Sequence, residues 1–166
     1  MSDQDVARAL LWETILQRED YPIYRLTYLS RPAKPFTNED FDDIESKSVL
    51  ANNARDVTGL LIVKGESILQ ILEGREAAVR ELYAKIEADP RHEITRLVSA
   101  VEDDERYLLT WSMVVRSMQG MPHEIMQQFD DIYQALADGQ ETQVTLDHMD
   151  LFKTISLLGQ WPIVQV

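Results

Sequence analysis

The run Ser67-Ile-Leu-Gln-Ile-Leu-Glu73 carries apolar side chains at consecutive positions. Read as a β-strand it presents them to both faces of a sheet, because successive side chains point to opposite sides. A strand with one wet face alternates apolar and polar residues; this one does not, and belongs in the middle of a sheet roofed on both sides. The rest of the chain has to supply flanking strands and two layers of cover. Val57 to Val63 reads as a neighbouring strand, joined to the first run by Lys64-Gly65-Glu66, a three-residue hairpin loop with a central glycine. Ile23 to Leu29 reads as an earlier strand, with Tyr24, Leu26 and Tyr28 on one face. Further strands are expected at about 94–102 and 111–117.

The helices are marked by their ends. Thr37 is a good N-cap with Asp40 three positions on, as in a capping box, and Phe36 and Phe41 can staple across it. The inward stripe of this helix is Phe41, Ile44, Ser48 and Asn52, which turns polar toward its C-terminal end. A helix from about 76 to 88 points Val79, Leu82, Tyr83 and Ile86 inward and stops at Asp89-Pro90. The resulting order, β-α-β-β-α-β-β, is an α+β ferredoxin-like sandwich with one extra strand. Two amphipathic helices, about 122–138 and 146–158, are available for the opposite sheet face. A further helix is expected over residues 3 to 18, with Leu10, Leu11 and Ile15 in need of cover, which suggests a dimer contact and a homo-oligomer. The chain divides into an N-terminal helical extension (1–22), a central domain (23–117) and a C-terminal helical cap (118–166).

Composition removes whole classes of function. With no cysteine, disulfides, zinc–thiolate sites and thiol nucleophiles are excluded. A net charge of −13, from 16 basic and 29 acidic residues, makes nucleic acid and anionic membranes poor partners. No apolar run has the length of a membrane span, and the N-terminal stretch has neither a signal-peptide nor a transit-peptide pattern, so a cytoplasmic protein is expected. His92, His123 and His148 lack metal-ligand spacing, Asp103-Asp104-Glu105 reads as solvated surface, and no catalytic motif is present. Neither a metal site nor an enzyme is indicated.

The informative residues are polar groups where a core is expected. Alone, Gln70 reads as a buried amide satisfied by its own fold, Tyr28 as a packing tyrosine, and Trp111 with Met113 as core residues sharing a strand face. Together they say more. Central strands of such a sheet bring Tyr28 toward Gln70, Asn52 faces the same layer from its helix, and Ile44 and Ile86 can sandwich a flat ligand. That is the composition of a site for a flat, amphipathic, hydrogen-bonding ligand.

At these residues the chain resembles the BLUF family of blue-light sensors using FAD. The likeness covers about residues 23 to 117 and rests on Tyr28-Leu-Ser30, the segment Asn52 to Leu61 with its Thr-Gly-Leu-Leu, Ser67 to Gly74, Asp89-Pro-Arg-His92 and Trp111-Ser-Met113, in this order and spacing. The resemblance implies a flavin, FAD or FMN, bound between the two helices, with Tyr28 as photo-redox tyrosine and Gln70 as the amide switch between Tyr28 and the ring. It implies that an electron and then a proton leave Tyr28 and return, while Gln70 rotates or tautomerises and re-pairs. Asn52 binds the C4 carbonyl and N3 side; Asp89, Arg91 and His92 lie near the C2 side and ribityl region, with Ser48 on the same helix stripe. Lys85 stands where some members have an arginine, and donates without its fork. Ala51 stands where many members carry a polar or aromatic residue. Trp111 and Met113 correspond to the light-responsive strand. About forty-five residues after that strand are too few for a cyclase, so signalling in trans to a downstream protein effector is expected. Two alternatives stand beside this reading. One is a colourless ligand-binding or oligomerisation module. The other is an acylphosphatase-like enzyme, although Ser30-Arg31-Pro32-Ala33 lacks the glycines of its phosphate loop.

Overall fold

The computed structural model of the protein describes Asp5, residues 21–108 and residues 113–158. Apart from Asp5, the helix expected over 3 to 18 lies outside the described residues, and so does Trp111. The described elements are β1 (Ile23–Pro32), α1 (Asn38–Arg55), β2 (Thr58–Lys64), β3 (Ser67–Gly74), α2 (Glu76–Glu87), β4 (His92–Asp103), β5 (Val114–Ser117), α3 (His123–Asp138) and α4 (Leu146–Leu158). The five strands form one sheet in the order β4-β1-β3-β2-β5. Its pairings are antiparallel except that of β2 with β5, which is parallel. The ferredoxin-like arrangement with a fifth strand is therefore what the chain forms, and β3 takes the central place its apolar run requires.

Alternation along the strands builds two cores. Tyr24, Leu26, Tyr28, Leu61, Ile68 and Leu72 face α1 and α2, where they meet Phe41, Val79, Leu82 and Ile86. Leu29, Leu60, Ile62, Leu69 and Ile71 face the other way, onto Phe129 and Leu136 of α3 and Met149, Phe152 and Ile155 of α4. Both layers exclude water from β3, as P–H alternation on a one-sided sheet would not.

Local chemistry sets the element ends. Thr37 accepts from the Asp40 backbone N–H at 3.2 Å while the Asp40 carboxylate accepts from the Thr37 N–H at 2.8 Å, closing the capping box. The Phe36 and Phe41 rings meet edge to face, 5.6 Å apart. The hairpin is tighter than the sequence suggests: Lys64 pairs with Ser67, leaving only Gly65-Glu66 in the turn. Gly65 has φ +56, the positive value that such a turn demands at its first position and that glycine adopts without strain.

A buried ionic cluster ties the segment after β4 to the sheet. Glu73 and Arg25 are cross-strand partners, and Glu73 is fully buried. The Glu73 carboxylate accepts from Arg25 Nε and from the backbone N–H of Tyr107, each at 2.9 Å, and from that of Leu108 at 2.6 Å. Arg25 also donates to Asp103 and to the Glu105 carbonyl, and its guanidinium lies 3.3 Å above the centre of the Tyr107 ring. Arg106 donates to the Glu73 carbonyl, Thr58, the Asp56 carbonyl and the Tyr21 hydroxyl. Each charged group in the cluster thus meets at least one partner, the condition for burying it, while Arg106 Nε alone of the Arg106 nitrogens is left without one among the described residues.

Candidate functional site

Between α1, α2 and the sheet lies a cleft of about 610 Å³, counting its open mouth. The cross-strand register of β1 and β3 places Tyr28 directly opposite Gln70. Since both residues point to the helix side, the Tyr28 hydroxyl donates to Gln70 Oε1, and both side chains are buried. Gln70 Nε2 in turn donates to Met113 Sδ at 3.8 Å. Met113 approaches so closely because Gly59 lies beside it: a Cβ built there would stand 2.8 Å from Met113 Cε.

Asn52 reaches the same space from the last turns of α1 and is fully buried. Ser48 and Ile44, one and two turns earlier, and Ile86 of α2 form the walls with Leu82, Leu61 and Ile68. Burial holds the Tyr28 phenol well above its ordinary pKa, with Tyr83 and Asp89 nearby adding to the effect. Tyr28 is therefore a neutral donor throughout the working pH range. The Tyr83 ring lies 5.5 Å from that of Tyr28, on the helix side.

The mouth is ordered by Asp89, Arg91 and His92. Asp89 holds Arg91 through Nη2 at 2.7 Å and Nε at 3.0 Å, while Arg91 Nη1 donates to Asp43 of α1 at 2.9 Å. The Arg91 guanidinium keeps the Asp89 carboxyl below the usual carboxylate range. His92 Nε2 is 2.6 Å from the Ile86 carbonyl, which can only accept, so the proton of the neutral ring sits on Nε2. Nδ1, 3.0 Å from Ser30 Oγ, is left to accept from that hydroxyl.

The cleft thus gathers Tyr28, Ile44, Ser48, Asn52, Gln70, Ile86, Asp89, Arg91, His92 and Met113. Lys85 is not among the lining residues; its ammonium pairs with Glu81, 3.5 Å away, on an exposed face of α2. Ile86, the next residue round the helix, takes the inward direction, which points Lys85 elsewhere. Lys47, Phe36, Leu61, Ile68 and Leu82 also line the cleft without having been singled out. Alternation from Gln70 marks Ile68, and helical spacing from Ile86 marks Leu82, but no pattern marks Lys47, a surface lysine by sequence. Among the described residues no group of carboxylates and histidines is arranged to hold a metal.

The donor set suits a flat heteroaromatic group with mixed donors and acceptors. Two buried amides and a phenol lie between apolar walls, and the Gln70 N–H rests on a thioether, a weak acceptor that a carbonyl or ring nitrogen outcompetes. Tyr28, Asn52 and Gln70 with the Ile44 and Ile86 walls fit a flavin ring.

Comparison with known proteins agrees with this chemistry. The family model described as "Sensors of blue-light using FAD" (BLUF) matches residues 23–114. Photoactivated adenylate cyclase subunit alpha of Euglena gracilis is 36% identical over 81 residues, covering 49% of this chain and 8% of that protein. The beta subunit from the same organism is 30% identical over 95 residues, covering 57% of this chain and 11% of the relative. The chain therefore spans about a tenth of the length of these curated relatives. Among solved structures, BlrB, a BLUF protein in its dark state, superposes with TM-score 0.59 at 25% identity, covering 71% of this chain and 97% of that one. The photo-activated state of BlsA gives TM-score 0.62 at 22% identity, covering 84% and 97%, a likeness of fold. No helix among the described residues is long and apolar enough to cross a membrane. With its family match spanning more than half of the sequence, the protein belongs to the BLUF family of flavin-binding blue-light sensors.

Proposed function

We propose that Tyr28 and Gln70 form the photochemical switch of this sensor, within a flavin-binding domain over residues 23–117. The observation that carries the reading is the buried chain of contacts from the Tyr28 hydroxyl through the Gln70 amide to Met113. The bound flavin, FAD or FMN, supplies a ring that absorbs blue light and accepts an electron when excited. Tyr28 would be the chain's donor of that electron, its phenolic proton would follow through the hydrogen bond to Gln70 Oε1, and both would return to Tyr28, so that no net oxidation remains. Gln70 can reverse because an amide donates at one end and accepts at the other. Reversal would exchange the partners of Tyr28 and Met113. In a buried pocket such an exchange is worth on the order of 1–3 kcal/mol, enough to bias a two-state element.

In this reading Asn52 fixes the ring from α1, Ile44 and Ile86 hold its faces, and Ser48, Asp89, Arg91 and His92 order the side toward the mouth. Met113 transmits the change to β5. The domain itself is a photoreceptor and performs no catalysis. Its output is contact with a downstream protein effector, in a cytoplasmic homo-oligomer, with neither nucleic acid nor membrane as partner; the net charge of −13 supports the last point. In the division 1–22, 23–117 and 118–166, α3 and α4 supply the helical cap on the far sheet face, and residues 1–22 are an extension before the domain.

The test is an absorption spectrum of the FAD-loaded protein before and after blue light. A reversible red shift that disappears in Tyr28→Phe and in Gln70→Leu is the expected result. Unchanged photochemistry in Tyr28→Phe removes that residue from the mechanism, and a protein that takes up no flavin leaves the colourless binding module in its place.

A further inference from the structure

We propose that Tyr21 and Arg106 are positioning residues of the flavin site, which fix the C-terminal end of α1 and through it the place from which Asn52 meets the ring. These roles rest on the flavin-sensor reading above and extend it to two residues that do not line the cleft. Tyr21 also lies before residues 23–114, the stretch matched by the family model.

Asn52 belongs to the last turn of α1. The final carbonyls of a helix have no partner inside it, so such a turn is only as firm as its cap. Here the cap is Asp56, in the left-handed region at φ 54 and ψ 39, a conformation uncommon for residues other than glycine. It turns the chain so that the next amides donate back, Val57 to the Asn52 carbonyl at 2.9 Å and Asp56 to the Asn53 carbonyl at 3.4 Å. The main chain of Asn52 is held by this turn.

Arg106, a buried residue, fastens the cap from outside. Its Nη2 donates to the Asp56 carbonyl and to the Tyr21 hydroxyl, each at 2.8 Å. Its Nη1 donates to Thr58 Oγ1 and to the Glu73 carbonyl, each at 3.0 Å. The Tyr21 hydroxyl donates in turn to the Asp56 carboxylate. Burial, with that carboxylate beside it, raises the Tyr21 phenol above its ordinary pKa, so it stays a donor. One guanidinium thus ties the end of α1 to the start of β2 and the end of β3, and Tyr21 closes the loop on the cap residue. The four Nη protons reach four acceptors, more than an ammonium with three protons can serve.

The experiment measures, in the full FAD-loaded chain, the dissociation constant by fluorescence titration, the dark absorption maximum, the light-induced red shift and Tm. Tyr21→Phe removes one hydroxyl and keeps the ring beneath the Arg75 guanidinium, whose carbon lies 3.8 Å from the ring centre. It should weaken FAD binding about fivefold, the equilibrium weight of one ordinary hydrogen bond, and move the dark maximum. Arg106→Lys should do the same more strongly. In an Asn52→Ala background, Tyr21→Phe should add nothing to either readout, because its effect runs through that amide. Phe152→Leu, in the core on the far sheet face, should lower Tm and leave affinity and dark maximum unmoved. Wild-type affinity and spectrum in Tyr21→Phe overturn the proposal. So does an undiminished effect of Tyr21→Phe in the Asn52→Ala background, or an equal change from Phe152→Leu at equal loss of Tm. Should Asn52→Ala take up no FAD, or Arg106→Lys fail to fold, Tyr21→Phe against Phe152→Leu decides alone. A wild type that binds FAD without a red shift refutes the photosensor reading and leaves this test standing; one that binds no flavin removes both.

Discussion

Replacing Glu73 by glutamine tests whether the buried ionic cluster holds the β4–β5 segment on the sheet. The two carboxylate oxygens accept from Arg25 and from the backbone N–H groups of Tyr107 and Leu108. An amide keeps one acceptor and puts an NH₂ where the other oxygen was, facing donors that it cannot satisfy. Arg25, itself buried, loses its full counter-charge. Hydrogen bonds to a charged group contribute about 1.5–3 kcal/mol each, and breaking a buried pair from one side costs about 3–5 kcal/mol. A loss in that range lowers Tm by roughly 6–20 °C in a domain of this size. Thermal melts followed by circular dichroism, with urea unfolding for the free energy, give both figures. Glu105→Gln, the same charge change at an exposed side chain, is the control and should stay within about 0.5 kcal/mol of wild type. A Glu73→Gln protein within about 1 kcal/mol of wild type would refute the argument. A double variant with Arg25→Met should recover part of the loss, because it removes the stranded charge along with its partner.

Gly59→Ala introduces a Cβ 2.8 Å from Met113 Cε and 3.2 Å from its Sδ. The flexible thioether yields at about 1–2 kcal/mol and leaves the Gln70 amide, so the dark absorption maximum and the thermal recovery rate should both move; spectra and recovery identical to wild type would remove Met113 from the tuning of that amide. Asp89 predicts an acid dependence. Its folded pKa is depressed by Arg91, so the stability it contributes is present above the ordinary aspartate value of about 4 and is lost as pH falls below it. Urea midpoints between pH 6 and pH 3 should fall less steeply at the acid end for Asp89→Asn than for wild type, and parallel curves would contradict the assignment.

Where one residue's neighbours in sequence are also its constraints, the sequence was readable. The apolar run around Gln70 implied a covered central strand, Thr37 and Asp40 implied a helix start, and the topology implied a meeting of Tyr28 with Gln70. Contacts between distant segments were harder. Arg25 and Glu73 each interrupt or close an apolar strand, a sign of buried charge, but nothing local says that they pair or that the carboxylate also takes the amides of Tyr107 and Leu108. Lys85 and Lys47 show the limit on helices. Each adjoins a cleft residue, and only the rotation of its helix puts Lys47 at the cleft and Lys85 on an outer face. The hairpin differed by one residue because glycine at its first position permits the shorter turn.

The sheet does not hold its strands equally. Central β3 is zipped along both sides, whereas β5 spans four described residues at the rim, attached by a single parallel ladder to β2. Local opening free energies follow such differences, being smallest where few bonds must break. The Gln70–Met113 contact bridges the two extremes. Under the proposed mechanism a strand weakly enough attached for one amide reversal to displace it is also visited by thermal fluctuation without light. The basal, unstimulated output of the sensor should therefore rise with temperature before any global unfolding, and strengthening the rim strand should quiet it at the expense of responsiveness.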